Sequence, residues 1–172
     1  MPNQDNPHGF RPLGRSLTGG PCQVQSYTKD ASASAIFRQD LVKREADSFI
    51  APGATAGTDI YSGVSLNYAP SGSISEHLCI TSPDALFEAQ GDNDTALDEA
   101  DMGLNANATF AAGSTSTGVS AAEIDASTKA TTSTLDLRML RRLAVPDNEY
   151  GTFARIEIVI NKHRDVPGVA GV

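Results

Sequence analysis

The chain predicts an all-β protein, a small β-barrel or jelly-roll-like domain with an extended N-terminal arm and one short helix. Three observations carry that prediction. Short runs alternate apolar and polar residues with a period of two, the pattern of half-buried strands. Clusters of Gly, Pro, Asn and Asp separate the runs at short intervals, as in sandwiches and barrels. The first 33 residues carry Pro2, Pro7, Pro12 and Pro21 with Gly9, Gly14, Gly19 and Gly20, which break helix and central strand alike.

Residues 1–33 are therefore expected to form the arm. Phe10, Leu13, Leu17 and Val24 supply apolar anchors, and Arg11 and Arg15 supply charge, which a neutral spacer does not need. Either the arm docks on a partner or it packs back on its own domain; termini are ordered only when tied down. If it docks, Phe10, Arg11, Leu13 and Arg15 are the partner-binding residues.

Residues 34–163 are expected to form the β domain. Weaker strand candidates lie at 36–43, 60–68, 76–81 and 86–90. Residues 104–110 and 135–139 alternate more regularly. The strongest strand spans 154–161, with Ala154, Ile156, Ile158 and Ile160 on one face and Arg155, Glu157 and Asn161 on the other. Turns are expected at Ala51-Pro52-Gly53, Ala69-Pro70-Ser71-Gly72, Ser82-Pro83-Asp84, Gly91-Asp92-Asn93-Asp94 and Pro146-Asp147-Asn148. Thr95 followed three residues on by Asp98 predicts a capping box and a short helix. Residues 111–134, rich in Ala, Ser, Thr and Gly, predict a long loop with a short ordered patch at Glu123-Ile124-Asp125. Residues 164–172 predict a flexible C-terminal tail.

The 172 residues suit one domain plus an arm. There is no Trp, and only six Phe and four Tyr, so a private core is small and oligomerisation is expected to supplement it. Cys22 and Cys79 share no metal-ligand spacing and are expected to be thiols, with a disulfide the alternative. No apolar run approaches the length that crosses a membrane, and the polar, Pro-containing start is not a secretory signal.

The net charge of −8 lies in one window. Between Glu76 and Asp101 there are eight acids and no Lys or Arg, leaving 13 acids against 13 bases elsewhere. This predicts one solvated or partner-facing acidic region, and it excludes nucleic-acid binding, which needs a basic footprint.

Motifs for catalysis or metal binding are incomplete. Asp92-Asn93-Asp94 opens like an EF-hand loop, but Ala96, Leu97 and Gly103 stand where a ligand, a Gly and the bidentate Glu are needed. An oxygen-rich turn can still bind Ca²⁺ without the motif; the expected state is a solvated acidic turn. Ala56-Gly57-Thr58-Asp59-Ile60 and Pro70-Ser71-Gly72 resemble two motifs of trimeric β-fold dUTP pyrophosphatases. The second lacks its Arg, and no Gly-rich, Arg-bearing C-terminal arm follows. His8, His77 and His163 are scattered, and His77 with Cys79 makes half a zinc site. The expectation is no enzyme, no cofactor and no resident metal. Arg138, Arg141 and Arg142 are expected to pair with acids across a subunit or partner boundary, where Arg is favoured.

The opening Asn6-Pro7-His8-Gly9-Phe10-Arg11-Pro12-Leu13 resembles the start of small head proteins of tailed bacteriophages. The likeness continues through Asp40-Leu41-Val42-Lys43, Ile60-Tyr61-Ser62-Gly63-Val64 and Pro83-Asp84-Ala85-Leu86-Phe87-Glu88-Ala89-Gln90. Gly103-Leu104-Asn105-Ala106, Ser127-Thr128-Lys129-Ala130-Thr131 and the final strand with Lys162-His163 extend it over most of residues 6–163. These stretches are similar to capsid decoration, or cement, proteins. The resemblance implies a β-barrel or jelly-roll-like domain that trimerises on the outside of an assembled capsid and clamps neighbouring major capsid subunits. Its implied location is the virion surface, after synthesis in the host cytoplasm, and its implied partners are the major capsid protein and two further copies of itself. The family supplies no catalytic residues. A carbohydrate- or receptor-binding β module of a virion is the competing class; it would need exposed aromatics for stacking. On the cement-protein expectation the arm carries attachment and the acidic window serves solubility or steering, so loss of residues 1–20 would leave a folded domain that no longer coats capsids.

Overall fold

A computed structural model describes residues 3–166. Eleven strands are present among them: β1 (Arg11–Ser16), β2 (Val24–Lys29), β3 (Leu41–Arg44), β4 (Ile50–Pro52), β5 (Tyr61–Ser65), β6 (Ser75–Ile80), β7 (Ala85–Gln90), β8 (Asn105–Thr109), β9 (Glu123–Ala130), β10 (Leu137–Arg142) and β11 (Arg155–Ile160). They form two units. One is a six-stranded antiparallel sheet in the order β1-β7-β11-β10-β8-β9, and the other a closed barrel in the order β2-β4-β3-β5-β6. The expected all-β barrel class is what the chain adopts.

The core lies where the barrel meets the inner face of the sheet. Leu41, Tyr61, Val64 and Ile80 of the barrel share one buried cluster with Phe87, Ile124, Leu137, Met139, Ile156 and Ile158 of the sheet. Seven buried alanines (Ala85, Ala89, Ala106, Ala108, Ala122, Ala126 and Ala154) join that cluster. Small side chains let the layers approach closely, which is how a chain with few large residues reaches dense interior contact. Gly63 in β5 has φ +145°, and a Cβ there would stand 1.9 Å from the Ile80 carbonyl oxygen, so the β5–β6 approach requires glycine.

The N-terminal segment is extended, as expected, but it packs back on its own domain. β1 pairs antiparallel with β7, and β2 pairs along its whole length with β6. Phe10 is fully buried, and its N–H donates to the Gln39 carbonyl at 2.8 Å. The expected docking role of Phe10 is thus corrected: it is a core residue. Loss of residues 1–20 would remove β1 and that core side chain, so the truncated chain is no longer expected to keep the intact fold.

Three further expectations change. The predicted loop 111–134 contains β9, held by pairing with β8 although its side chains are small. The short helix appears three residues later, as a single 3₁₀ turn at Glu99–Asp101. Asp98 is its N-cap and Asp101 closes the capping box, so Asp98 takes the role assigned to Thr95. Ala51 and Pro52, read as a turn, belong to β4. Of the expected tail, 164–172, residues 167–172 lie outside the described residues; at its start the Arg164 N–H donates to the Tyr61 carbonyl at 2.8 Å.

β11 is the third strand of six and has neighbours on both sides. Ala154, Ile156, Ile158 and Ile160 are buried, as the alternation predicts. Ile158→Ala is expected to cost about 2–5 kcal/mol through lost burial plus the cavity left behind. Chemical denaturation measures it; an unchanged midpoint would contradict the burial.

His77 sits inside the barrel, fully buried, 2.7 Å from the Ser65 hydroxyl. Burial, helped by the charge of Lys29, lowers its pKa to about 4 from the ordinary 6.5. The unfolded chain therefore takes up this proton first, and stability is lost as pH falls from 6.5 toward 4. The cost at pH 5 relative to pH 7.5 is about 2 kcal/mol from this group. Comparing wild type with His77→Gln at the two pH values isolates it: the stability gap between them should narrow by about that amount at pH 5.

Candidate functional site

Alternation in β7 and β11 turns Glu88 and Glu157 to the outer face of the sheet, and the register sets them directly opposite each other. Like charges in that position repel. Both are nonetheless buried, Glu88 to 3% exposure and Glu157 to 1%. Burial without partners would force such groups to neutralise. Arginines from both flanks supply the partners.

Arg15 of β1 and Arg141 of β10 each place Nη2 2.6 Å from a different carboxylate oxygen of Glu157. Arg11 of β1 and Arg155 of β11 stand 3.6 and 3.5 Å from Glu88, with His8 Nε2 at 3.6 Å. Two backbone irregularities make this possible. The β10–β11 register shifts between Met139 and Arg141, which brings Arg141 opposite Glu157. The β1–β7 register shifts between Pro12 and Ser16 around Gly14, at φ +71°, and Arg15 reaches across β7.

The guanidinium side chains remain partly open to solvent: 54% for Arg15, 62% for Arg141, 46% for Arg11 and 31% for Arg155. Four cations over two carboxylates leave this patch at +2 on a chain of net charge −8. Each guanidinium has five donors, and the buried acids use only part of them. The rest form a fixed array of cationic donors suited to carboxylates on an opposing surface.

Three residues expected to be functional from sequence thus meet on one face: Arg11, Arg15 and Arg141. Leu13 is half-buried at its edge. Arg138, Arg141 and Arg142, expected at a subunit or partner boundary, each also have a partner inside the chain. Arg138 Nε donates to Asn105 Oδ1 at 3.2 Å. Arg142 donates to the Asn148 carbonyl and lies over the Tyr150 ring, 5.2 Å from its centroid. Sequence reasoning missed Glu88 and Glu157; the available signal was an acid within an apolar central strand whose neighbours carry surplus arginine.

The acidic window is not one solvated face. Glu88, Asp92 and Asp101 are buried, and Asp101 pairs with Lys129 at 2.6 Å. Asp92, Asp94 and Asp125 bring carboxylate oxygens within 4.8 Å of one another, with Asp125 supplied by β9 rather than by the EF-hand-like stretch. Burial, then the charges of Asp125 and Asp94, raise the Asp92 pKa, while the Ala126 and Asp94 N–H groups oppose the rise. In the turn at 54–59, Asp59 accepts the Ala54 and Thr55 N–H groups and pairs with Lys43 at 3.1 Å. Both cysteines are free; burial pushes the Cys79 thiol up to about 12. No helix among the described residues is long and apolar enough to cross a membrane.

The two halves of the patch should respond unequally to substitution. Glu157→Gln releases two half-exposed guanidinia into water and is expected to cost about 1–2 kcal/mol. The pair Arg15→Gln and Arg141→Gln strands a buried carboxylate and should cost about 3–5 kcal/mol. Urea denaturation of the two variants measures the difference, and equal costs would mean that Glu157 is not held by these arginines. Set beside family models, curated proteins and solved structures, the chain matches none.

Proposed function

We propose that the protein is a structural virion component, a decoration or cement protein that binds the outside of an assembled phage capsid as a homotrimer and clamps neighbouring major capsid subunits. The observation that carries this is the arginine-capped face of the six-stranded sheet. Its cations are pre-positioned by buried glutamates, which lowers the entropy cost of docking and favours an acidic partner surface. The stretches that resemble capsid decoration proteins include the start of β1 as far as Leu13, β7 and β11, which contribute Arg11, Glu88, Arg155 and Glu157 to this face. A second surface suits self-association: Leu78 of β6 and Val24 of β2 are exposed on the outside of the barrel. Contacts weak in one subunit become strong when three are linked.

A second reading draws on a polar cleft beside the same face. It has a volume of about 240 Å³ and is lined by Asn3, Asn6, Arg11, Gln90, Asn148 and Arg155. Amides and guanidinia at that density suit a hydroxyl-rich glycan. Titration with acidic and neutral oligosaccharides separates this from capsid attachment.

The test of the primary proposal is co-sedimentation with shells assembled from the candidate major capsid protein. Arg15→Gln and Arg11→Gln each leave one arginine on the buried glutamate and should fold. Each is expected to weaken shell binding about tenfold, and wild-type binding should fall steeply with salt. Light scattering should give three times the 18.0 kDa chain mass. Unchanged binding by both variants, or no binding at low salt, would overturn the proposal.

A further inference from the structure

Asp40 lies in a turn leading into β3, and its carboxylate accepts the Phe37 N–H at 2.8 Å. Burial raises its pKa to about 6, opposed by the Ser120 hydroxyl and the Phe37 N–H. Glu88, Glu157, Asp59 and Asp101 all have a cation beside them. Asp40 has none within salt-bridge distance among the described residues, and no charged side chain of either sign contributes to its shift. The elements packed around it offer it only the Ser120 hydroxyl and backbone groups.

Asp40 lines a cleft of about 430 Å³ where the turn before β3 and the end of β4 meet the chain leaving β8. The apolar wall includes Phe37, Pro52, Gly53, Phe110 and Ala111. Both aromatic walls are braced from behind: Phe37 stacks on Tyr68 with ring centroids 5.3 Å apart, and Phe110 lies 6.3 Å from Tyr61. Gly53 keeps the floor low, since a Cβ there would come within 2.9 Å of the Phe110 and Tyr61 rings.

We propose that this cleft seats a lysine side chain of a partner protein, with its alkyl stem between the phenyl rings and its ammonium on Asp40. The chemistry selects each part of that ligand. A half-buried carboxylate without a cation is complemented by a positive charge, and aromatic walls favour an apolar stem and attract a cation. One Asp40 oxygen already accepts an N–H, which favours a compact ammonium over the bidentate fork of arginine. The assignment of a protein as the source of the lysine rests on the capsid-docking proposal above.

The test is an NMR titration of the ¹⁵N-labelled full chain with Nα-acetyl-lysine methylamide at pH 7.5. Shifts are expected at the amides of Phe37, Asp40, Gly53 and Ala111. They should be lost with the Nε-acetylated compound and in Asp40→Asn, and retained in Asp47→Asn, which removes an exposed charge from the β3–β4 turn. Because the ammonium needs the ionised carboxylate, affinity should fall about tenfold between pH 7.5 and pH 5. That arm and the acetylated compound need no variant, so they stand even if Asp40→Asn fails to fold. Shifts that persist with the acetylated compound, or that ignore pH, would overturn the proposal; tighter binding of butylammonium would overturn a protein side chain as the occupant. Shell co-sedimentation separates the two proposals: lysine binding without shell coating sinks the capsid role alone, and coating without lysine binding sinks the cleft alone.

Discussion

Two carboxylates face each other across the middle of a sheet, and much of the architecture follows from the need to neutralise them. Glu88 and Glu157 stand on adjacent central strands and are both buried. Repulsion and lost hydration would expel an undefended pair. The defence comes from three strands: β1 brings Arg11 and Arg15, β10 brings Arg141, and β11 brings Arg155. Two of the four arginines belong to the N-terminal strand, so its attachment is electrostatic as well as hydrogen-bonded. Phe10 adds burial on the inner side. A segment whose Pro and Gly content suggests a free arm is thereby held on both faces of the sheet it joins.

Strands with one buried and one polar face were legible from sequence. β7, β8, β10 and β11 fall within or beside their expected ranges because their apolar residues repeat every second position. β1, β2 and β9 were hidden for a common reason: their order comes from pairing with a neighbour more than from their own side chains. β9 offers Ile124 as its only bulky apolar residue, and β2 is exposed over much of its length. β4 was obscured by Pro52, which is tolerated at the end of a short strand. The helix signal pointed to Thr95 as the cap, and finding Asp98 in that place required knowing where the backbone turned.

The destinations of the charges were the least legible part. An acid-only window along the sequence says nothing about which acids meet bases from distant segments. Lys129 reaches Asp101 and Arg155 reaches Glu88 across separations that no local pattern encodes. The arginines were recognisable as interface-like, yet their first partners are inside the chain. What they offer a second molecule is the remaining donor capacity of guanidinia already anchored.

The position of β11 bears on how this chain comes to be folded. It is the last strand in chain order among the described residues, yet it occupies an interior place between β7 and β10. Until it arrives, β7 has only β1 to pair with, and the inner layer lacks Ile156 and Ile158. A nascent chain on the ribosome could close the barrel, whose five strands end at Ile80, but the sheet would stay split into two pieces. Joining them waits on contacts of long sequence separation, the kind that fold slowly. Completion of the sheet therefore waits until Ile160 has been synthesised and released, and the barrel is the natural first-formed half.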